Sequence, residues 1–151
     1  MGRGLAIFLY AASALAGAIL SMALPGQLPL SGGVAWRLGL LAVLPGLALA
    51  AWAVATMRWG ILGGIYPVAP GLVREGPYRL VRHPLYLGLI LALAGMAISL
   101  RSGSGLLGVL GLFVPSAVYR ARLEERDLAA VFGRDWEDHA ARTGFILPQR
   151  K

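Results

Sequence analysis

The chain has 151 residues, 58% of them hydrophobic and 14% charged, with a formal net charge of +7 and no cysteine. That length holds one domain, and that apolar content lies above the range of soluble proteins, so a single-domain membrane protein is expected. Without cysteine there is no disulfide, thiol nucleophile or cysteine-ligated cluster, and two histidines lacking a partner pattern do not make a zinc site.

Residues 5–24 and 38–57 are each twenty residues without a charge. At 1.5 Å per residue, either spans a hydrocarbon core of ~30 Å. A cleaved signal peptide is the other reading of the first run, because Arg3 precedes it. The run exceeds the ~7–15 residues of such leaders and no Ala-x-Ala site closes it, so a retained helix is expected. Ala12-x-x-x-Ala16 and Gly46-x-x-x-Ala50 offer small faces for close helix packing, and Pro45 predicts a kink. Residues 1–57 therefore read as two scaffold helices. Residues 58–83 follow as a cytoplasmic loop, whose first part is apolar but broken by Gly60, Gly63, Gly64, Pro67, Pro70 and Gly71. Irregular backbone at a membrane is tolerated where protein or a water-filled cavity satisfies it, which makes this stretch a candidate pocket wall.

Residues 84–119 predict a tight transmembrane hairpin of runs 84–100 and 106–119, with Arg101 and Gly103-Ser104-Gly105 in its outer turn. No glycine-rich nucleotide loop follows a strand anywhere in the chain. Pro84 suits the first turn of a helix and favours an extended His83 at its mouth. Arg82 and His83 then stand at the positive end of the helix dipole, an arrangement that makes sense if an anion binds between them and the free backbone N–H groups. Anchoring at the membrane interface is the plainer account of Arg82.

The last run is expected to continue into the cytoplasm as a helix through residues 120–131, closed by Gly133 in a left-handed conformation. Arg120, Glu124 and Leu128 share one face at i, i+4 and i+8. Taken alone, Arg120 and Glu124 read as an exposed ion pair of about 0.3–0.5 kcal/mol. Their place at the membrane exit also brings that face under the Arg82-His83 mouth. A short helix over 134–142 ends at Thr143-Gly144, and Phe145-Ile146-Leu147-Pro148 is expected to return apolar surface to the bilayer.

With four spans, Arg37 and Arg101 lie on one side and every other basic residue, with all seven acidic ones, on the other. The positive-inside rule makes that second side cytoplasmic, with both termini. The charge therefore reads as topology and contact with anionic membrane lipids, and no nucleic-acid partner is expected. Arginine fills thirteen of the fourteen basic positions amid abundant Ala and Gly, which suggests a GC-rich prokaryote and its cytoplasmic membrane.

Two segments carry chemistry: Gly76-Pro77-Tyr78-Arg79-Leu80-Val81-Arg82-His83-Pro84-Leu85-Tyr86, and Glu124-Glu125 followed by Phe132-Gly133. Ionisable groups at the ends of membrane-length apolar runs are costly and mark functional sites. In their order the two segments resemble the isoprenylcysteine carboxyl methyltransferase and phospholipid methyltransferase family, over residues 60–148. The resemblance implies an all-α integral membrane enzyme with about four transmembrane helices and a cytoplasmic, helical cofactor-binding region at residues 120–151. It further implies S-adenosylmethionine as cofactor and a lipidic or isoprenoid methyl acceptor. Cofactor contacts carried over from the family fall on Pro70, Gly71, Leu72, Val73, Tyr78, His83, Pro84, Leu85, Tyr86 and Glu124. Arg82 joins them through the helix-mouth argument. Arg120 takes the place of the arginine that binds an acceptor carboxylate.

For a carboxylate acceptor no base is needed; for an amine, Glu125 or His83 is the candidate. Arg120 favours carboxyl O-methylation, with phospholipid N-methylation as the alternative. Membrane reductases that use NADPH form a second class, but they carry Arg-x-Pro-Asn-Tyr where this chain has Leu85 before Tyr86. A noncatalytic membrane subunit is the third. Trp136 and His139 replace two tyrosines usual in the family, which points to a different pocket shape or acceptor.

Overall fold

A computed structural model describes residues 2–57 and 71–149. Helix α1 (Gly2–Ala23) and helix α2 (Gly32–Thr56) are both apolar enough to cross a membrane, as is the continuous helical rod Gly103–Phe132. Helix α3 (Pro84–Ser99) is apolar but has 16 residues, a rise of about 24 Å. The described residues form no sheet. This is an integral, all-helical membrane protein. The expected pocket wall from Arg58 to Pro70 lies outside the described residues.

Helices α2 and α3 pack with their backbones nearly touching. A Cβ placed on Gly46 would meet the Gly88 carbonyl at 2.7 Å, and one on Gly95 would meet the Gly39 carbonyl at 2.7 Å. Small residues are required here because, between helices in lipid, van der Waals contact replaces the hydrophobic effect as the source of attraction. The Gly46-x-x-x-Ala50 face is thus the packing face, and α2 runs unbroken through Pro45.

The small face of α1 is a different one from that expected. Ala12 is exposed, whereas Ala6, Gly17 and Ser21 are buried. A Cβ on Gly105 would lie 2.1 Å from Ser21 Oγ, and Ser13 Oγ meets Ser116 Oγ at 2.6 Å. The inner stripe therefore runs Ala6, Tyr10, Ser13, Gly17, Ser21, at helical spacings of four and three. Ser13 supplies an interhelical hydrogen bond that Ala12 and Ala16 cannot, while Ser21 donates to the Gly17 carbonyl within α1.

The rod consists of α4 (Gly103–Gly108), one π-helical turn (Val109–Phe113) and α5 (Val114–Phe132). Pro115 follows the wide turn and has no N–H to return to the preceding turn, which accounts for the local widening. Phe113 and Val109 in that turn are fully buried. At the outer hairpin Gly103-Ser104-Gly105 is not the turn. Ser102 caps α4 by accepting a hydrogen bond from the Gly105 N–H at 3.0 Å, and Arg101, at φ 54°, makes the reversal. The cap explains the shift, since a serine one residue before Gly103 satisfies a first-turn donor.

Gly133 ends α5 with a positive φ of 50°, but its ψ of −124° lies outside the left-handed helical basin. It also begins α6 (Arg134–Arg142), accepting from Trp136 and Glu137 N–H, so one residue serves both helices. Beyond α6 the chain turns back onto the mouth of α3. The Arg82 and His83 N–H groups donate to the carbonyls of Gly144 and Phe145 at 2.8 and 3.2 Å, and Gly144 N–H donates to the Leu80 carbonyl at 3.2 Å. Phe145 is thereby carried inward, while Leu147 keeps the exposed position expected for it.

Candidate active site

The N-terminus of α3, the exit of α5, the inner stripe of α1 and the C-terminal segment converge at one end of the bundle. Pro84 starts α3, and its fixed φ is compatible with the first helical turn. His83 before it has φ −124° and ψ 60°, short of the fully extended conformation expected. That backbone directs a nearly buried imidazole between two carboxylates. His83 Nε2 lies 3.4 Å from Glu125 Oε1, and Nδ1 lies 3.9 Å from Glu124 Oε2. Nε2 is buried and has no hydrogen-bond partner among the described residues.

Arg82 is occupied. Its Nε donates to Glu125 Oε1 at 2.6 Å, and one Nη donates to the carbonyls of Ala140 and Thr143 at 2.8 and 2.6 Å. With 12% side-chain exposure, it clasps α6 and the C-terminal segment to the mouth of α3. Neither a simple interface anchor nor a free cation describes it.

Arg120 and Glu124 form the second pair. Arg120 Nε donates to Glu124 Oε1 at 3.1 Å and to the Tyr86 hydroxyl at 2.8 Å, while that hydroxyl donates to the same Glu124 oxygen at 2.6 Å. Side-chain exposures of 21% and 25% decide against the exposed pair suggested by spacing alone. Among the described residues no hydrogen bond engages either Nη of Arg120 or Glu124 Oε2, so donor and acceptor capacity is left over. Although Glu124 and Glu125 are neighbours some 100° apart around the helix, both reach the His83 mouth.

Tyr78 lies in the 3₁₀ turn Gly76–Arg79 and donates to Met57 Sδ at 2.7 Å. Burial first, and the Glu124 charge second, raise its pKa above the usual phenol value. Gly76 takes φ +56°, and a Cβ there would meet Thr56 Oγ1 at 2.7 Å. Glycine is therefore needed to seat this turn on the end of α2. Pro84 and Tyr86 are buried and Leu85 is half-buried. Gly71, Leu72 and Val73 approach the turn without joining the charged network, and Pro70 lies outside the described residues. Trp136 and His139 are both buried, with ring centroids 6.0 Å apart. Burial, then the Arg74 and Arg82 charges, lower the His139 pKa.

Two site residues carry no motif. Phe145 meets the His83 ring edge-on at 5.1 Å, and Tyr10 meets the Tyr86 ring at 5.2 Å with the Arg120 guanidinium 5.2 Å from its own ring centre. Tyr10 lies on the α1 inner stripe, a face that the sequence pattern did not single out. No local sequence signal marks Phe145, whose position depends on the pairing of residues 144–145 with 82–83.

A membrane helical bundle that gathers two arginines, two glutamates and a buried histidine at one end belongs to the class of integral membrane enzymes acting at a bilayer surface. Residues 34–135 match the family model described as phospholipid methyltransferase, more than half of the chain, and the chain belongs to that family. No curated protein matches it. The family's members transfer the methyl group of S-adenosylmethionine to a lipid, so this chain is a membrane methyltransferase with that cofactor and a lipid acceptor.

Proposed function

We propose that the protein methylates the amine of a phospholipid head group at the cytoplasmic face of the membrane. The observation that carries this choice is the buried His83 imidazole whose Nε2 faces Glu125 Oε1 at 3.4 Å, leaving Nδ1 as the proton-accepting nitrogen. An ammonium must lose a proton before its nitrogen has a lone pair, and a buried imidazole backed by a carboxylate is a suitable proton acceptor. The phospholipid methyltransferase match supports the same reading.

The residues fit the cofactor by their donors. Glu124 Oε2 is open to an ammonium or a ribose hydroxyl, and the first-turn N–H groups of Leu85 and Tyr86 are open to a carboxylate. Tyr78, Pro84 and the approach through Gly71, Leu72 and Val73 supply the surrounding wall, with Pro70 ahead of them. When bound, S-adenosylmethionine supplies an electrophilic methyl group, whose C–S bonding pair leaves with sulfur as the acceptor's lone pair forms the new bond. His83 takes the single proton released, Glu125 facing its Nε2 balances the imidazolium that results, Arg82 holds Glu125 in place, and Arg120 grips the acceptor's anionic oxygen. Partial burial of this network limits its contact with water, which strengthens each of these interactions.

Carboxyl O-methylation is the second reading, favoured by the unspent Nη donors of Arg120, which match a carboxylate in bidentate geometry. It would need no base. Either reading is served by a single domain of four spans with both termini cytoplasmic, α3 being the short one. The test is calorimetric titration of detergent-purified protein with S-adenosylhomocysteine, then radiolabel transfer to phosphatidylethanolamine and to N-acetyl-S-farnesylcysteine. Label in phosphatidylethanolamine alone is expected. Label in the farnesylcysteine alone would replace the amine reading by the carboxyl one, and saturable binding of NADPH alone would refute both.

A further inference from the structure

Tyr10 belongs to neither motif, yet it sits at the centre of the site. Its ring packs on Tyr86 and on Phe113, at centroid distances of 5.2 and 5.1 Å, and the Arg120 guanidinium lies over its face. Every one of those contacts would be made equally well by phenylalanine. The hydroxyl is what requires an account, because it is buried and has no hydrogen-bond partner among the described residues. Leaving a buried hydroxyl unpaired costs about 1–3 kcal/mol, and such a group in a native structure points to something that binds it.

The neighbouring side chains say what kind of group that is. Glu124 Oε1 already accepts from Tyr86 and from Arg120 Nε, and Tyr86 is in turn spent on that oxygen. The second Glu124 oxygen, Oε2, is turned to His83 Nδ1 at 3.9 Å, so what remains unspent beside Tyr10 is donor capacity: its own O–H and the Nη groups of Arg120. Two unspent donors on side chains in contact, one of them cationic, select an oxygen acceptor bearing negative charge.

We propose that the Tyr10 hydroxyl, supplied by the first membrane helix, joins Arg120 to form the subsite that seats the anionic oxygen of the lipid acceptor. That oxygen is a phosphate oxygen in a phospholipid and a carboxylate oxygen in a lipidic acid. Tyr10 is a specificity-determining residue that positions the acceptor head. This rests on the methyl-transfer reading above and deepens it. The scaffold helix α1 thereby contributes to acceptor choice, which neither motif does alone.

The experiment uses Tyr10→Phe in the full-length, detergent-purified protein. This variant keeps the ring, so folding and the Arg120 contact are retained. Acceptor KM is expected to rise about 10- to 100-fold, the loss of one hydrogen bond to a charged group. kcat and the affinity for S-adenosylhomocysteine by calorimetry are expected to stay at wild-type values, and the melting temperature of the unliganded protein is expected to rise, because an unpaired buried hydroxyl is removed. A merely structural tyrosine would leave KM unchanged, and that result overturns the proposal. So does a fall in S-adenosylhomocysteine affinity at constant KM, which would assign the hydroxyl to the cofactor. Running phosphatidylethanolamine in mixed micelles beside N-acetyl-S-farnesylcysteine distinguishes phosphate from carboxylate as the group held. Failure of the wild-type protein to bind S-adenosylhomocysteine, or to methylate either acceptor, would instead remove the parent reading and this inference with it.

Discussion

Glu124 is the most informative residue to replace, because its carboxylate holds two groups at once. Glu124→Ala removes the acceptor for the Tyr86 hydroxyl at 2.6 Å and for Arg120 Nε at 3.1 Å. Tyr86 is 5% exposed, so its hydroxyl loses a charge-assisted bond worth about 1.5–3 kcal/mol. Arg120 keeps its bond to Tyr86 and is one-fifth exposed, so it recovers part of its loss from solvent. About 2 kcal/mol of destabilisation follows, which at this chain length is a fall of about 4–8 °C in melting temperature. Glu124→Gln keeps an oxygen at the same place and removes only the charge, so a fall below half that size is expected. In calorimetry both variants are expected to bind S-adenosylhomocysteine at least tenfold more weakly, a loss of about 1.4 kcal/mol or more. Wild-type stability in Glu124→Ala would refute the network argument. Wild-type affinity in Glu124→Gln would refute the role of its charge.

Arg82→Lys keeps the charge but cannot span Glu125, Ala140 and Thr143 with one ammonium, since these bonds use the fork of the guanidinium. It is expected to expose the C-terminal segment to limited proteolysis after residue 142 while leaving the membrane helices folded; resistance equal to wild type would show that the backbone bonds to Gly144 and Phe145 suffice. His139 gives a pH dependence. Its pKa is lowered in the folded protein, chiefly by burial. The unfolded chain therefore binds more protons below its own value of about 6.5, so stability present at pH 7 is lost as pH falls, with a slope of at most about 1.4 kcal/mol per pH unit. Melting temperatures between pH 5.5 and 7.5 are expected to slope less in His139→Asn than in wild type, and parallel slopes would assign the loss to another group.

Apolar run length placed the bundle almost completely, since lipid requires backbone bonds to be closed within each helix and run length then sets helix length. Its limits were local. Helix α2 begins at Gly32, six residues before the apolar run, because Ser31 caps it by accepting from Val34 N–H. The small face of α1 was misread because Ala-x-x-x-Ala and the Ser13, Gly17, Ser21 stripe are equally small, and only the partner helix distinguishes them. At the site, motif and spacing named Arg82, His83, Tyr86, Arg120, Glu124 and Glu125, and these are the residues the fold joins. Spacing could not foresee that Arg82 is consumed internally, since its partners Ala140 and Thr143 are backbone carbonyls. Nor could it supply Tyr10 or Phe145, whose places follow from tertiary pairing between segments more than 60 residues apart.

The charges at the site also explain why it is stable where it stands. Arg82 and Arg120 are balanced by Glu124 and Glu125, and every pair is closed by a hydrogen bond, to the partner carboxylate or through Tyr86. Charges at a bilayer edge are costly singly, and a closed neutral set avoids most of that cost. The pairing cancels the four charges against one another, while the unspent atoms retain direction: acceptor capacity on Glu124 toward the His83 mouth, donor capacity on Arg120 and Tyr10 toward α1. A zwitterionic lipid head presents both signs within one small group, and a site divided in this way can hold each sign without breaking the pairs that keep it folded.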